Sequence, residues 1–301
     1  MNKILDVIEG KQNYAVFPIV SADHCIRLLN LNFFEVATDG KKLAMVLENG
    51  YQLYKYDMVL VFSDPYVEAQ ALGCQLEFSP YPTLVTAKTD QRLDRTSVII
   101  EATKILKQKL DIPIFVSIKG PFSLASFLVG IDKFLRMLLK KEDGAREVID
   151  QALEFQKKYL SKLLALGVNI FLGDPVASAS VISPSTFQKY AYKPLQILIN
   201  KIKSKGLIAG IHICGETRPI IQILDSLKAD ILSIEDITPK TKTTKMGGVS
   251  TQTILHGTKV KIRAEAQMAL EQAPIILATS CDVPPETPSE NIKELIKYGK
   301  K

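Results

Sequence analysis

Eight short apolar runs, rich in β-branched residues, recur along this chain at 16–20, 58–62, 112–118, 168–173, 208–213, 231–234, 246–249 and 274–279. They alternate with longer segments of helical period, among them 95–109, 143–166, 185–204, 217–228 and 261–272. The runs are apolar throughout rather than at every second residue. That is the pattern of parallel strands buried on both faces. Eight such runs over 301 residues predict an α/β chain folded as a (β/α)8 TIM barrel. The expected organisation is a single domain spanning 1–301, with a short irregular N-terminal extension, helical over 1–15. A doubly wound open sheet ranks second. The first third is less regular. Residues 30–55 and 74–94 read as a helix plus an excursion, with a small hairpin expected around 73–85.

Composition narrows the function. A hydrophobic content of 47% supplies a sizeable core, and the formal net charge of +6 comes from scattered lysines. The lysine-rich stretches 138–141 and 240–245 are short and carry no interleaved aromatics, which argues against nucleic acid as a partner. A mild basic excess suits an acidic protein partner or an anionic small substrate. Four cysteines do not make a secreted disulfide framework. The N-terminus lacks the uninterrupted apolar core of a signal peptide. The longest apolar stretch, 112–131, is broken by Lys119, Gly120 and Pro121 and spans no membrane. A reducing cytoplasm is the expected compartment.

Polar residues collect just after the runs: Asp64, Gly120-Pro121, Asp174, His212 with Cys214, Glu235, Gly248 and Cys281. In a (β/α)8 barrel the carboxyl ends of the strands form the active-site face. His212 and Cys214 are two apart, so on an extended strand both side chains face the same way. Cys281 lies in the turn Ser-Cys-Asp-Val-Pro-Pro-Glu-Thr-Pro, 280–288. One imidazole and two thiolates form a Zn2+ ligand set, and three protein ligands leave the fourth place of a catalytic zinc. A thiol entering there gives up its proton and is held in one orientation, ready to attack an electrophilic carbon such as a methyl group. Activation of water for hydrolysis is the other use of such a zinc. It needs a base, which Glu235 or Asp236 offers.

Glu235 reads in two ways: as a carboxylate filling the fourth zinc place until a thiol displaces it, or as a strand-end residue paired with a lysine. Asp64 and Asp174 either steer a ligand or cap the helix that follows, with Pro175 at a first helical position. Gly120-Pro121 either brings backbone close to a ligand or makes the turn. His24 and Cys25 read as helix-start residues, Cys74 as core and His256 as a solvated turn residue.

The motifs together resemble the uroporphyrinogen decarboxylase superfamily, and within it the zinc-dependent methylcobamide:coenzyme M methyltransferases. The resemblance covers about residues 16–298. It rests on 62–74 (Phe-Ser-Asp-Pro-Tyr-Val-Glu-Ala-Gln-Ala-Leu-Gly-Cys), 120–128, 173–184, 212–217 (His-Ile-Cys-Gly-Glu-Thr) and 281–292. The last two are the specific ones, since decarboxylases lack the His-X-Cys…Cys motif. The resemblance implies a TIM barrel. It implies His212, Cys214 and Cys281 as zinc ligands, Glu235 as a carboxylate near the metal, and Asp64 at the position of the decarboxylases' catalytic carboxylate. It also implies transfer of a methyl group from methyl-Co(III) of a partner corrinoid protein to a zinc-activated, coenzyme M-like thiol, with cobalt leaving as Co(I). Alternatives are a uroporphyrinogen-type decarboxylase, or a corrinoid methyltransferase with another acceptor such as tetrahydrofolate. The decarboxylases' Arg-Gln-Ala-Gly-Arg type loop has no counterpart here, and only Arg27 is basic in that segment. A porphyrinogen with many carboxylates needs a stronger cationic pocket. Arg27, Lys119 and Arg218 are the candidates for holding an acceptor anion.

Overall fold

The computed structural model describes residues 2–87, 93–140 and 143–300. Residues 88–92 of the expected excursion and Lys141 of the lysine-rich stretch lie outside the described residues. The strands are β1 Tyr14–Val16, β2 Val59–Val61, β3 Gln75–Phe78, β4 Pro82–Thr86, β5 Ile114–Lys119, β6 Asn169–Gly173, β7 Ala209–Ile213, β8 Ile231–Ile234, β9 Thr244–Val249 and β10 Ile275–Thr279. β3 and β4 form an antiparallel hairpin where one was expected. The other eight form one sheet in the order β1-β10-β9-β8-β7-β6-β5-β2. Every ladder in it is parallel. This is chain order run round a curl, with β1 and β2 at the two ends. The mixed α/β architecture is therefore TIM-barrel-like, with helices in the connections, and not a doubly wound sheet. No helix among the described residues is long and apolar enough to cross a membrane.

The seam between β1 and β2 is bridged by one residue. Asp57 donates its backbone N–H to Val16 O at 2.9 Å and accepts the Val16 N–H on Oδ2 at 2.8 Å. Its carboxylate also meets Lys3 at 3.2 Å and Lys300 at 3.6 Å, tying both chain ends to the seam.

The segments differ from expectation, or refine it, as follows from local chemistry. The first strand occupies 14–16, not 16–20. Phe17 N makes one further bond, to Leu277 O, and then Pro18 has no N–H to continue the ladder. The N-terminal extension is likewise not helical over 1–15. Its helix is Lys3–Ile8, with Ile4 and Val7 buried, and it stops before Gly10 at φ +69°. The segment 112–131 holds strand β5 and then a helix, Pro121–Val129, that begins with proline at its first position. The helix expected over 185–204 contains a wide turn, Phe187–Ala191, before Tyr192–Lys203. Pro194 cannot donate to the Tyr190 carbonyl, which accounts for the loosened turn.

Replacing Asp57 by Ala should strip Val16 N–H of its acceptor at a largely buried site. A loss of about 1–3 kcal/mol is expected, read as a lowered urea midpoint; an unchanged midpoint would mean that water seals the seam equally well.

Candidate active site

Parallel register builds the site. Lys119 of β5 lies opposite Gly173 of β6, and Gly173 lies opposite His212 of β7. His212 lies opposite Ser233 of β8, and Ser233 opposite Met246 of β9. These five positions form one row across the inner face, and all of them line a cavity of about 240 Å³. Phe171, one layer below, meets Phe115 of the next layer down with ring centroids 5.3 Å apart. A Cβ on Gly210 would come within 2.4 Å of the Phe171 ring, so glycine there lets the floor close.

The row continues upward into the ligand cluster. His212 Nε2 and Cys214 Sγ are 3.1 Å apart. The two sulfurs of Cys214 and Cys281 are 3.8 Å apart, and Cys281 Sγ is 3.5 Å from His212 Nε2. A tetrahedral ion with Zn–S of about 2.3 Å and Zn–N of about 2.0 Å has edges of about 3.8 Å (S to S) and about 3.5 Å (N to S). Two of the three observed edges match, and the third is shorter by a few tenths of an ångström. The residues fit a zinc ion. Among the described residues, His212, Cys214 and Cys281 are the group of His, Cys and acidic side chains whose ligand atoms all lie within 4.8 Å of one another.

Neighbours hold each member. His212 Nδ1 is 2.9 Å from Ser233 Oγ, which fixes the ring so that Nε2 faces the sulfurs. Thr279 Oγ1 donates to Cys281 O at 2.7 Å and accepts Ile19 N–H at 3.0 Å, anchoring the last turn to the first. After Cys214 the chain turns at Gly215, φ +70°. The Gly215 N–H donates to Glu235 Oε1 at 2.6 Å. The two thiols share one hydrogen bond, in which either sulfur can donate. It lowers the Cys214 pKa, aided by the Lys119 charge, and pushes the Cys281 thiol up.

Expected site residues divide on this geometry. His212, Cys214 and Cys281 converge. Glu235 is exposed and stands outside the three-residue cluster, beside it through Gly215. Asp64 does not line the cavity. It is 3% exposed, and its carboxylate is gripped by Arg95, with Nη1 on Oδ2 and Nη2 on Oδ1 at 3.0 Å. Ser63 Oγ and Tyr66 N–H also donate to it, both at 3.0 Å. Asp236 pairs with Arg218 at 2.7 Å on the rim. His24 is buried between Tyr54 OH at 2.6 Å and Pro285 O at 3.2 Å; burial lowers its pKa. Cys25 and Cys74 are buried, Cys74 as read from sequence, and the exposed His256 ends the helix Thr251–His256.

Sequence reasoning missed Ser233, Thr279 and Arg95. Ser233 had a signal, as the one hydroxyl in the apolar run Ile-Leu-Ser-Ile. Arg95 had none, since its partner is 31 residues away.

An eight-stranded parallel sheet with a His/Cys/Cys cluster at its carboxyl end defines a TIM-barrel-like enzyme. The chain belongs to the uroporphyrinogen decarboxylase (URO-D) family, whose profile matches residues 4–301. It is 30% identical over 294 residues to a methylcobamide:CoM methyltransferase, MtaA, of Methanosarcina barkeri, covering 87% of this chain and 85% of that protein. It is 26% identical over 292 residues to the methylcobamide:CoM methyltransferase MtbA of Methanosarcina mazei, covering 88% and 86%. A solved methyltransferase from Methanosarcina mazei superposes with a TM-score of 0.87 at 27% identity, covering 99% of this chain and 97% of the other. The expected resemblance to the methyltransferase branch is borne out, and with it the expectation that the chain is a methyltransferase.

Two outcomes follow from the buried acids. Asp64→Ala strands the Arg95 guanidinium, which is 1% exposed, and should cost about 3–5 kcal/mol in urea unfolding. Adding Arg95→Met should recover part of that loss, and strictly additive costs would count against the pairing. Asp174 is fully buried. Ser123 N–H donates to its Oδ1 at 2.6 Å, while Oδ2 has no partner among the described residues. Burial raises its pKa from 3.8 to about 6. Folding therefore favours the protonated carboxyl. This stabilisation is complete below pH 3.8 and is lost as pH rises through about 6. In metal-free protein, Asp174→Asn should abolish a decline of up to about 3 kcal/mol across that window; parallel pH–stability curves for variant and parent would refute the assignment.

Proposed function

We propose that this chain passes a methyl group from a methylated corrinoid protein to a thiol acceptor, coenzyme M-like in size and charge, at a zinc ion held by His212, Cys214 and Cys281. The observation that carries the reading is the nitrogen-and-two-sulfur triad, with near-tetrahedral edges, at the carboxyl end of the barrel strands. When bound, the zinc supplies a Lewis acid that favours the acceptor's thiolate over its thiol. Two thiolates and a neutral imidazole cancel its formal charge.

The chain's own residues do the rest. Ser233 holds the imidazole's orientation. Thr279 fixes the Cys281 turn, and Glu235, through Gly215 N–H, fixes the Cys214 turn. Glu235 is also the carboxylate best placed to approach the metal from outside the triad. Phe62, Phe171, Leu60 and Met246 wall the cavity, excluding water and holding a small acceptor in one pose. Asp64 acts through Arg95 as a positioning residue for the segment 63–66, rather than as a proton carrier. A corrinoid partner would cover the barrel mouth, and the net charge of +6 favours encounter with an acidic one. A cysteine count of four suits a reducing cytoplasm better than a secreted disulfide framework.

The decarboxylase alternative fits less well. Among the described residues, Lys119 is the single Lys or Arg side chain lining a cavity of about 240 Å³, poor provision for a tetrapyrrole with many carboxylates. Tetrahydrofolate is distinguished by experiment.

Purified protein should hold one zinc per chain. Cys214→Ala should lower metal content by at least about tenfold and abolish methylation of mercaptoethanesulfonate by methylcobalamin. A Cys214→Ala protein with full turnover, or methyl transfer to tetrahydrofolate but to no thiol, would overturn the reading.

A further inference from the structure

Outside the triad, the inner face of the barrel carries a buried cation without a polar partner among the described residues. Lys119 is 6% exposed and ends β5 on the inner face, in the same row as His212. Among the described residues its Nζ takes part in no hydrogen bond or ion pair. Its contact is with an aromatic face, the Phe62 ring, at 5.2 Å. Glu68 and Asp174 feel its charge, but neither carboxylate pairs with the ammonium. Glu68 Oε1 instead accepts the Lys119 backbone N–H at 2.7 Å, and Asp174 Oδ1 the Ser123 N–H. A buried ammonium with no partner in an apolar cavity is costly to keep.

The direction of the side chain gives that cost a use. Between Lys119 and His212 the row holds Gly173, which has no side chain. A Cβ built there would lie 3.4 Å from Lys119 Nζ. The ammonium therefore occupies the space above the Gly173 position, leaning from β5 toward β7. Gly173 is His212's ladder neighbour, so the charge stands roughly one strand spacing, about 5 Å, from the His212 column. The same cavity touches Lys119, Gly173, His212, Cys214 and Cys281.

We propose that Lys119 is the specificity-determining residue for the methyl acceptor: its ammonium binds an anionic group carried on a short spacer from the acceptor's sulfur. The proposal rests on the reading of the triad as a thiol-activating centre. It adds that the group recognising the acceptor's negative charge is the Lys119 ammonium, which shares the cavity with the triad. A neutral thiol of the same length leaves the ammonium unpaired, and a cationic one meets repulsion. Arg27 and Arg218, the other candidates, are exposed, and Arg218 is committed to Asp236.

The test compares mercaptoethanesulfonate, mercaptoethanol and cysteamine as acceptors, with methylcobalamin as donor, in the zinc-loaded parent, K119M and K119R. The parent should prefer the sulfonate over the neutral thiol in kcat/KM. K119M should reduce that preference by about 10- to 100-fold, chiefly through KM, with zinc content unaltered. K119R should keep most of it. If K119M does not fold, K119Q replaces it. A second readout needs neither turnover nor metal: calorimetry of ethanesulfonate binding to chelator-treated protein, expected for the parent and lost in K119M. An undiminished preference in K119M, or equal ethanesulfonate binding by parent and variant, would overturn the proposal. Failure of the parent to methylate any thiol, together with Lys119-dependent ethanesulfonate binding, would refute the thiol-transfer reading while leaving the anion site standing.

Discussion

The lateral register of β5 to β9 is the constraint from which the site follows. Parallel ladders are continuous, so a slip of one residue in any strand would turn its inward residues outward. With the observed register, Lys119, Gly173, His212, Ser233 and Met246 share one row. That row places a charge, a gap, the cluster's imidazole, the imidazole's anchor and an apolar wall in sequence around the mouth. Register itself is held by the layer beneath, where the Phe171 ring fills the space that Gly210 leaves. Packing in the lower barrel thus determines the geometry of chemistry in the upper barrel.

Rigidity at the mouth comes from buried polar groups that tie one segment to another. Asp64 and Arg95 are each almost fully enclosed, and the pair joins the segment after β2 to the start of the helix Thr96–Lys109. Asp174 joins the segment after β6 to the helix Pro121–Val129 through Ser123 N–H. A Cβ on Gly120 would come within 2.2 Å of that carboxylate, so glycine is required for the contact. Such arrangements cost desolvation energy and return little net stability. Their return is a set of loops that hold cavity residues in place without themselves entering the chemistry.

Much of this was legible in the residues. Strand positions were visible because runs such as Ile231–Ile234 are apolar without alternation, the mark of burial on both faces. The ligand triad was visible because His212 and Cys214 carry the two-residue spacing of a strand face, and because Cys281 ends another run in a turn rich in proline. The role of Asp64 was not legible. A carboxylate after a strand looks alike whether it meets substrate or a buried guanidinium, and Arg95 lies too far along the chain to be seen as its partner. The start of the sheet was misplaced because 16–20 is apolar and buried, and burial alone does not separate a strand from an extended segment that carries Pro18.

By itself, then, the sequence determined the architecture, the three members of the His/Cys/Cys cluster and the branch of the family, because each is encoded in local patterns of one or two residue types. Tertiary structure alone decided which acid is free and which is locked, how His212 is oriented, and where the Lys119 ammonium points. Those facts depend on neighbours brought together by strand pairing across tens of residues. Only the folded ladder specifies such distances, because lateral contact between strands has no counterpart along the chain.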